Sequence, residues 1–336
     1  MNSPATGFVF ALTNPGSEKA LKLELEMAGG GWRFSYQRRG FVTFKARTDE
    51  ELFTLDSLAV PLASTRRLCL SLGKFATREE AIARTAEISS NAPSAIQHAR
   101  FFERKMQGVP NETVSPAPAI GALIGTVVEL RPEEFWAGVH RHAAFLSPDP
   151  GGDPGIVMPV ESPSRAWLKL EEAVRFFGLG FTTRDIVAEL GCAPGGVVLA
   201  LLDRGASVIG VDPAKMADVV MKSAIDDRDH APKDRPWFYH CKKPAALASK
   251  RDLGGDTTWF MSDMNQSPEV VLKECARFCR MAPSIHGALM TLKLTDVLEV
   301  AAKEQWFAAL REMGFKTTRL QQFSAHHKEY ALLATR

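Results

Sequence analysis

Long hydrophobic runs are missing from this chain. None approaches the roughly 18 residues that span a bilayer, which argues against a membrane-spanning helix. The start, Met1 to Asn14, lacks the basic region and small-residue cleavage site of a secretory leader. Cysteine is scarce, with five residues scattered at Cys69, Cys192, Cys241, Cys275 and Cys279. That argues against a disulfide framework and for buried free thiols in a reducing cytoplasm. Cys275 and Cys279 would share one helical face, but no second ligand pair stands nearby, so no metal site is expected. There is no internal repeat and no low-complexity tract. An excess of one charge is also absent: the formal net charge is +2, and acidic and basic residues nearly balance in each half. A nucleic-acid partner would therefore be held by local patches rather than by a global field.

What is present divides in two. A chain of 336 residues suggests about two domains. The clearest boundary is Ser147-Pro148-Asp149-Pro150-Gly151-Gly152-Asp153-Pro154-Gly155, through which neither a helix nor a central strand can run. A second break, from Val109-Pro110-Asn111 to Pro116-Ala117-Pro118, falls inside the first half. Before the linker, strands are predicted at 8–12, 40–44, 68–72 and 125–130, with helices at 18–28 and 79–88, a small α+β arrangement. After it, alternation is regular: a helix at 166–177, a strand at 185–190, a glycine turn, a helix at 197–204, and strands at 207–211, 258–261, 287–292 and 330–334. Such alternation favours a parallel sheet with helices on both faces.

Two features carry chemistry. Glu189-Leu190-Gly191-Cys192-Ala193-Pro194-Gly195-Gly196 forms a strand-to-helix turn where glycine permits close approach to backbone atoms and the following helix offers free N–H groups. It is neither a dinucleotide G-x-G-x-x-G nor a P-loop. Asp212 ends the next strand, where a carboxylate suits ribose hydroxyls, although it would serve equally as a helix cap. The second feature is four charged residues at the edges of apolar segments: Lys169 on the first helix, Asp263 after a strand, Lys293 ending one and Glu329 opening another. Strand C-termini of a parallel sheet gather at one edge, where ligands bind. Taken singly, each residue also reads as a solvated strand end.

Ser164 to Leu170, Leu190 to Gly196, Ser262-Asp263-Met264, Lys293 and Glu329 together resemble the FtsJ-type RNA ribose 2′-O-methyltransferases. Within that family the chain is most similar to bacterial enzymes that methylate a cytidine of 23S rRNA and carry an N-terminal ferredoxin-like and THUMP-type region. The resemblance implies an α/β fold: a Rossmann-like methyltransferase sheet, mostly parallel with its last strands antiparallel, and a smaller N-terminal α+β RNA-binding region. It implies a ferredoxin-like region at 1–60, a THUMP-like region at 61–147, a linker at 148–163 and a methyltransferase domain at 164–336. S-adenosylmethionine would be the cofactor, contacted by Ser164, Gly191, Cys192, Ala193, Pro194, Gly195, Gly196, Asp212 and Asp263. Lys169, Asp263, Lys293 and Glu329 would form the Lys-Asp-Lys-Glu tetrad, with Lys293 as general base toward the ribose hydroxyl. The chain departs from the family at Glu189, where Asp is usual, and at Val197, where an aromatic is common. No carboxylate for adenine stands in Phe238-Tyr239-His240-Cys241-Lys242-Lys243.

RNA, ribosomal RNA above all, is the expected partner. DNA and membrane are not expected, and oligomeric state is left open. One candidate contact cluster is Arg33, Arg38 and Arg39, with Lys45, Arg47 and the aromatics Trp32, Phe34, Tyr36, Phe41 and Phe44 between them. The other holds Lys242 and Lys243, with Lys233, Arg235, Lys250 and Arg251. Cations would hold phosphates and aromatics would stack on unpaired bases, although the first cluster reads equally as a solvated face over core aromatics. His326-His327, just before Glu329, would line the pocket. The alternatives are a methyltransferase for another RNA and a non-catalytic RNA-binding assembly factor. Base and protein methylation are disfavoured, for want of an Asn-Pro-Pro-Tyr-type motif or a suitable cysteine pair.

Overall fold

The computed structural model describes residues 5–29, 31–48, 52–89, 96–100 and 118–336. The break expected at 109–118 lies outside them except for Pro118. The chain forms two compact units, Met1–Val157 with Gln322–His327, and Met158–Gln321 with Lys328–Arg336. No helix among the described residues is long and apolar enough to cross a membrane.

The first unit is built on β1 (Phe8–Leu12), α1 (Glu18–Ala28), β2 (Arg33–Arg38), β3 (Phe41–Lys45), β4 (Arg67–Phe75), α2 (Arg78–Ser89), β5 (Ile96–Arg100), β6 (Leu123–Arg131) and β7 (Glu134–Arg141). Its sheet runs β2-β3-β1-β4-β7-β6-β5, antiparallel except for the β5–β6 pair. Alternation sorts the strands by face. Val9, Ala11, Leu70 and Val139 meet Leu21 and Leu25 of α1, while Val127 and Ala137 meet Ala81 and Ile82 of α2. Leu72 packs against both groups, so the two helices cover one face. Phe10, Leu12, Phe41, Cys69, Val128 and Leu130 form a separate cluster on the other.

Arg67 is fully buried. Its guanidinium donates to the Asp149 carbonyl at 2.5 Å and lies 3.0 Å from His140 Nε2, and burial pulls its pKa down to about 10. Residues 322–327 belong to this unit through the Asn14 amide, which donates to the carbonyls of Phe323 (2.6 Å) and His326 (3.0 Å).

The second unit comprises α3 (Ala166–Phe177), β8 (Ile186–Leu190), α4 (Gly196–Asp203), β9 (Ser207–Val211), α5 (Asp218–Met221), β10 (Ala224–Ile225), β11 (Phe238–Cys241), α6 (Lys250–Leu253), β12 (Trp259–Ser262), α7 (Pro268–Met281), β13 (Gly287–Lys293), α8 (Lys303–Glu312), β14 (Thr317–Gln321) and β15 (Glu329–Thr335). The order β10-β11-β9-β8-β12-β13-β15-β14 is parallel from β10 to β13 and antiparallel at β13–β15 and β15–β14. This is the mostly parallel sheet with antiparallel last strands that the sequence implied. α4 leads from β8 to β9 and α7 from β12 to β13, in opposite directions across the sheet. Right-handed crossovers place them on opposite faces. The strand order reverses between β8 and β12, which leaves a crevice at their C-terminal ends, where open α/β sheets bind ligands.

Candidate active site

The crevice is built from the first strand outward. β8 is an apolar central strand except for Glu189, which is only 2 % exposed. Its Oε2 has no hydrogen-bond partner among the described residues. Burial, then the charges of Asp263 and Asp212, push this carboxyl well above the usual range.

The turn that follows holds Gly191 at φ 73° and Gly195 at φ 114°, both in the left-handed region. A Cβ at Gly191 would stand 3.0 Å from the Met264 backbone, one at Gly195 2.6 Å from Val220, and one at Gly196 2.8 Å from the Ser164 carbonyl. Glycine is thus required by the packing of the turn itself. Asp212 braces it, accepting from the amides of Ala193 (3.1 Å) and Ala214 (2.8 Å). The Ala217 amide donates to the Pro194 carbonyl at 3.0 Å. Cys192 points inward, its thiol 3.8 Å from Met216 Sδ; burial, with Glu189 and Asp212 nearby, pushes its pKa well up and keeps it a neutral packing group. Ser164, packed on Gly196, has a buried hydroxyl without a partner among the described residues.

The four charged residues meet beside this turn. The Asp263 amide donates to the Leu190 carbonyl at 3.0 Å, which ties the end of β12 to the end of β8. Lys293 and Glu329 are direct partners across the antiparallel β13–β15 pair. Lys169 reaches in from α3, whose Glu171 holds Arg204 through both carboxylate oxygens. Lys169 Nζ lies 3.2 Å from Asp263 Oδ1 and 3.0 Å from Glu329 Oε2. Lys293 Nζ donates to the Asp263 carbonyl at 2.8 Å and lies 3.3 Å from its Oδ1. The four side chains are between 14 and 23 % exposed, sheltered yet open to a reactant. Two ammonium groups and two carboxylates cancel, so the cluster costs far less to bury than any member alone.

The expected RNA contacts are placed more variously. Arg33 and Arg39 are exposed, whereas Arg38 pairs with Glu134. Lys242 is exposed beyond β11, and Lys243 is held on Asp252 at 2.9 Å. Most of the aromatics between the arginines serve the core: Phe41 and Phe44 are buried and Trp32 stacks on Phe53 at 4.6 Å. Phe34 alone of the five is strongly exposed, with Lys22 over its ring. Of the pair His326-His327, His326 is buried in the first unit, and its Nδ1 accepts the Phe323 amide at 3.1 Å. Sequence reasoning noted Glu189 only as a departure from aspartate. The signal for its burial was there, a lone acid inside Ile-Val-Ala-Glu-Leu of a parallel strand.

Strand order, glycine turn and crevice define the second unit as a Rossmann-like methyltransferase fold. Residues 163–305 match the FtsJ-like methyltransferase family. Over 126 residues it is 40 % identical to a ribosomal RNA large subunit methyltransferase M of Histophilus somni, covering 35 % of this chain and 30 % of the relative. The protein of the same name from Chromohalobacter salexigens is 33 % identical over 150 residues, 43 % of this chain and 38 % of the relative. That from Tolumonas auensis is 27 % identical over 189 residues, 54 % and 47 %. The matched part spans less than half of each of these relatives.

Proposed function

We propose that this chain transfers a methyl group from S-adenosylmethionine to a ribose 2′-hydroxyl of RNA, with a cytidine of 23S rRNA as target. The observation that carries this reading is the meeting of Lys169, Asp263, Lys293 and Glu329 beside the glycine turn. The relatives' shared name supports ribosomal RNA as the substrate.

The crevice suits such a cofactor. The partnerless Ser164 hydroxyl and Glu189 carboxyl are buried polar atoms that a polar ligand would satisfy, and Asp212 stands where ribose hydroxyls are held. Gly191, Cys192, Ala193, Pro194, Gly195 and Gly196 supply the backbone wall, and Asp263 joins this wall to the tetrad. When bound, the cofactor supplies an activated methyl group on a sulfonium. The protein's task is then to align the ribose oxygen and remove one proton. Lys293, in its neutral form, takes that proton at Nζ. Its two contacts to Asp263 fix where the nitrogen lone pair points. Lys169 bridges Asp263 and Glu329, so both carboxylates keep their places as charge moves. Arg33, Arg39 and Lys242, with the paired Arg38 and Lys243, hold phosphates.

Nucleoside analysis of RNA incubated with the chain and S-adenosylmethionine tests this. A 2′-O-methylnucleoside is expected, and a base-methylated product would overturn the reaction class.

A further inference from the structure

A second cluster of charge lies in the first unit and shares only Arg38 with the basic residues singled out in the sequence. Glu134 opens β7 after the turn Pro132-Glu133, its side chain 2 % exposed. Three cations from three strands converge on it: Arg131 Nε at 2.7 Å from β6, Arg38 at 3.4 Å from β2 and Lys74 Nζ at 3.4 Å from β4. The cations are far from buried, with side chains 59, 37 and 50 % exposed.

The register places this cluster. Lys74 pairs with Trp136, and Glu134 lies two residues from Trp136, so all three share one face of the sheet. Phe135 and Ala137, of opposite parity, pack toward α2. The cations therefore stand on the face that neither α1 nor α2 covers. Half-buried Tyr36 and Trp136 pack on the apolar cluster of that face, and the Arg38 guanidinium lies 5.7 Å from the Tyr36 ring centre.

We infer that Arg38, Lys74 and Arg131, ordered by the buried Glu134, form a phosphate-binding site for RNA on the side of the N-terminal sheet opposite α1 and α2, with Tyr36 and Trp136 beside it. One carboxylate shared among three cations leaves positive charge uncompensated, which fits a polyanion. Burial pushes the Glu134 carboxyl up, and Lys74, the Trp136 side chain, Arg38 and Arg131 together more than offset this, holding it below the usual range as the anionic anchor of the three cations. An anchor beneath the cations fixes their heads before a ligand arrives and lowers the ordering cost of binding. The inference rests on the reading that the chain acts on RNA and adds where the first unit grips it.

The test is binding of a fluorescein-labelled, mixed-sequence single-stranded RNA to the full chain, by anisotropy across a salt series. Each phosphate contact on a single strand contributes about 0.7 to the slope of log K against log salt. Lys74→Gln/Arg131→Gln is expected to weaken binding at least tenfold at low salt and flatten the slope by about 1.4. Lys74→Arg/Arg131→Lys, which keeps both charges, is expected to bind near wild type. Unchanged affinity and slope in the neutral pair would overturn this site while leaving the RNA reading intact. Equal losses in both pairs would also overturn it, since packing rather than charge would then be at work. Failure of the wild type to bind RNA even at low salt would overturn the reading on which the site rests.

Discussion

Lys293 and Glu189 carry the two residue-scale consequences of this site. Lys293→Ala removes the group proposed to accept the hydroxyl proton, and general-base catalysis contributes on the order of 10²–10⁴ in rate. Turnover should fall by at least that factor, while cofactor affinity, measured by calorimetry, stays within about threefold because the glycine turn is untouched. Glu189 predicts a pH effect on stability. Its folded pKa is raised, so between the ordinary carboxyl value and that raised value the folded state binds more protons than the unfolded one. Its contribution to stability is full below the ordinary value, near 4.3, and falls as pH rises above it. Glu189→Gln keeps a neutral side chain of the same shape. The variant should melt higher than wild type at pH 8, by roughly 2–4 °C for a change of about 1 kcal/mol, and the gap should close toward pH 4.5. A constant gap across that range would contradict a raised carboxyl at Glu189.

At the scale of elements, the glycine turn ties the site to the fold. Gly196→Ala would push a Cβ against the Ser164 carbonyl and the Trp167 amide, both backbone groups that hold the start of α3. Since α3 carries Lys169, the strain reaches the tetrad. A loss of about 1–3 kcal/mol in unfolding free energy is expected, with weakened cofactor binding as α3 shifts. The elements legible in sequence were those with strong periodicity. α1 and α3 fall at the predicted limits, as does β9, and β8, β12 and β13 within a residue or so. β2 was read as a basic aromatic surface because Arg-Phe-Ser-Tyr-Gln-Arg lies at the sheet edge, where little selects for an alternating apolar face. β11 is four residues long, too short to show a period. The tetrad's approach was legible only through its resemblance to a family, because Lys169 and Glu329 are 160 residues apart and no local pattern joins them. The cations around Glu134 come from three strands, and of them only Arg38 stood out in sequence, because no local pattern joins it to Lys74 and Arg131.

For the whole molecule, near-zero net charge means that the RNA proposed as partner would be gripped by organised clusters rather than drawn in by a general field. Raising salt should therefore weaken binding with a slope set by a handful of contacts. The two units are compact in themselves. Removing Lys74 and Arg131, which belong to the other unit, should leave cofactor affinity within about 0.5 kcal/mol of wild type, as expected for groups with no shared partners. A large change in cofactor affinity would show that the units are energetically coupled.

The central claim is that the tetrad beside the glycine turn transfers methyl groups to RNA ribose. Its most direct test is transfer of labelled methyl from S-adenosylmethionine to unmodified ribosomal RNA, wild type beside Lys293→Ala, with digestion to nucleosides. The account predicts a labelled 2′-O-methylnucleoside from wild type and none above background from the variant. Equal transfer by both proteins, or label on a base, would contradict it.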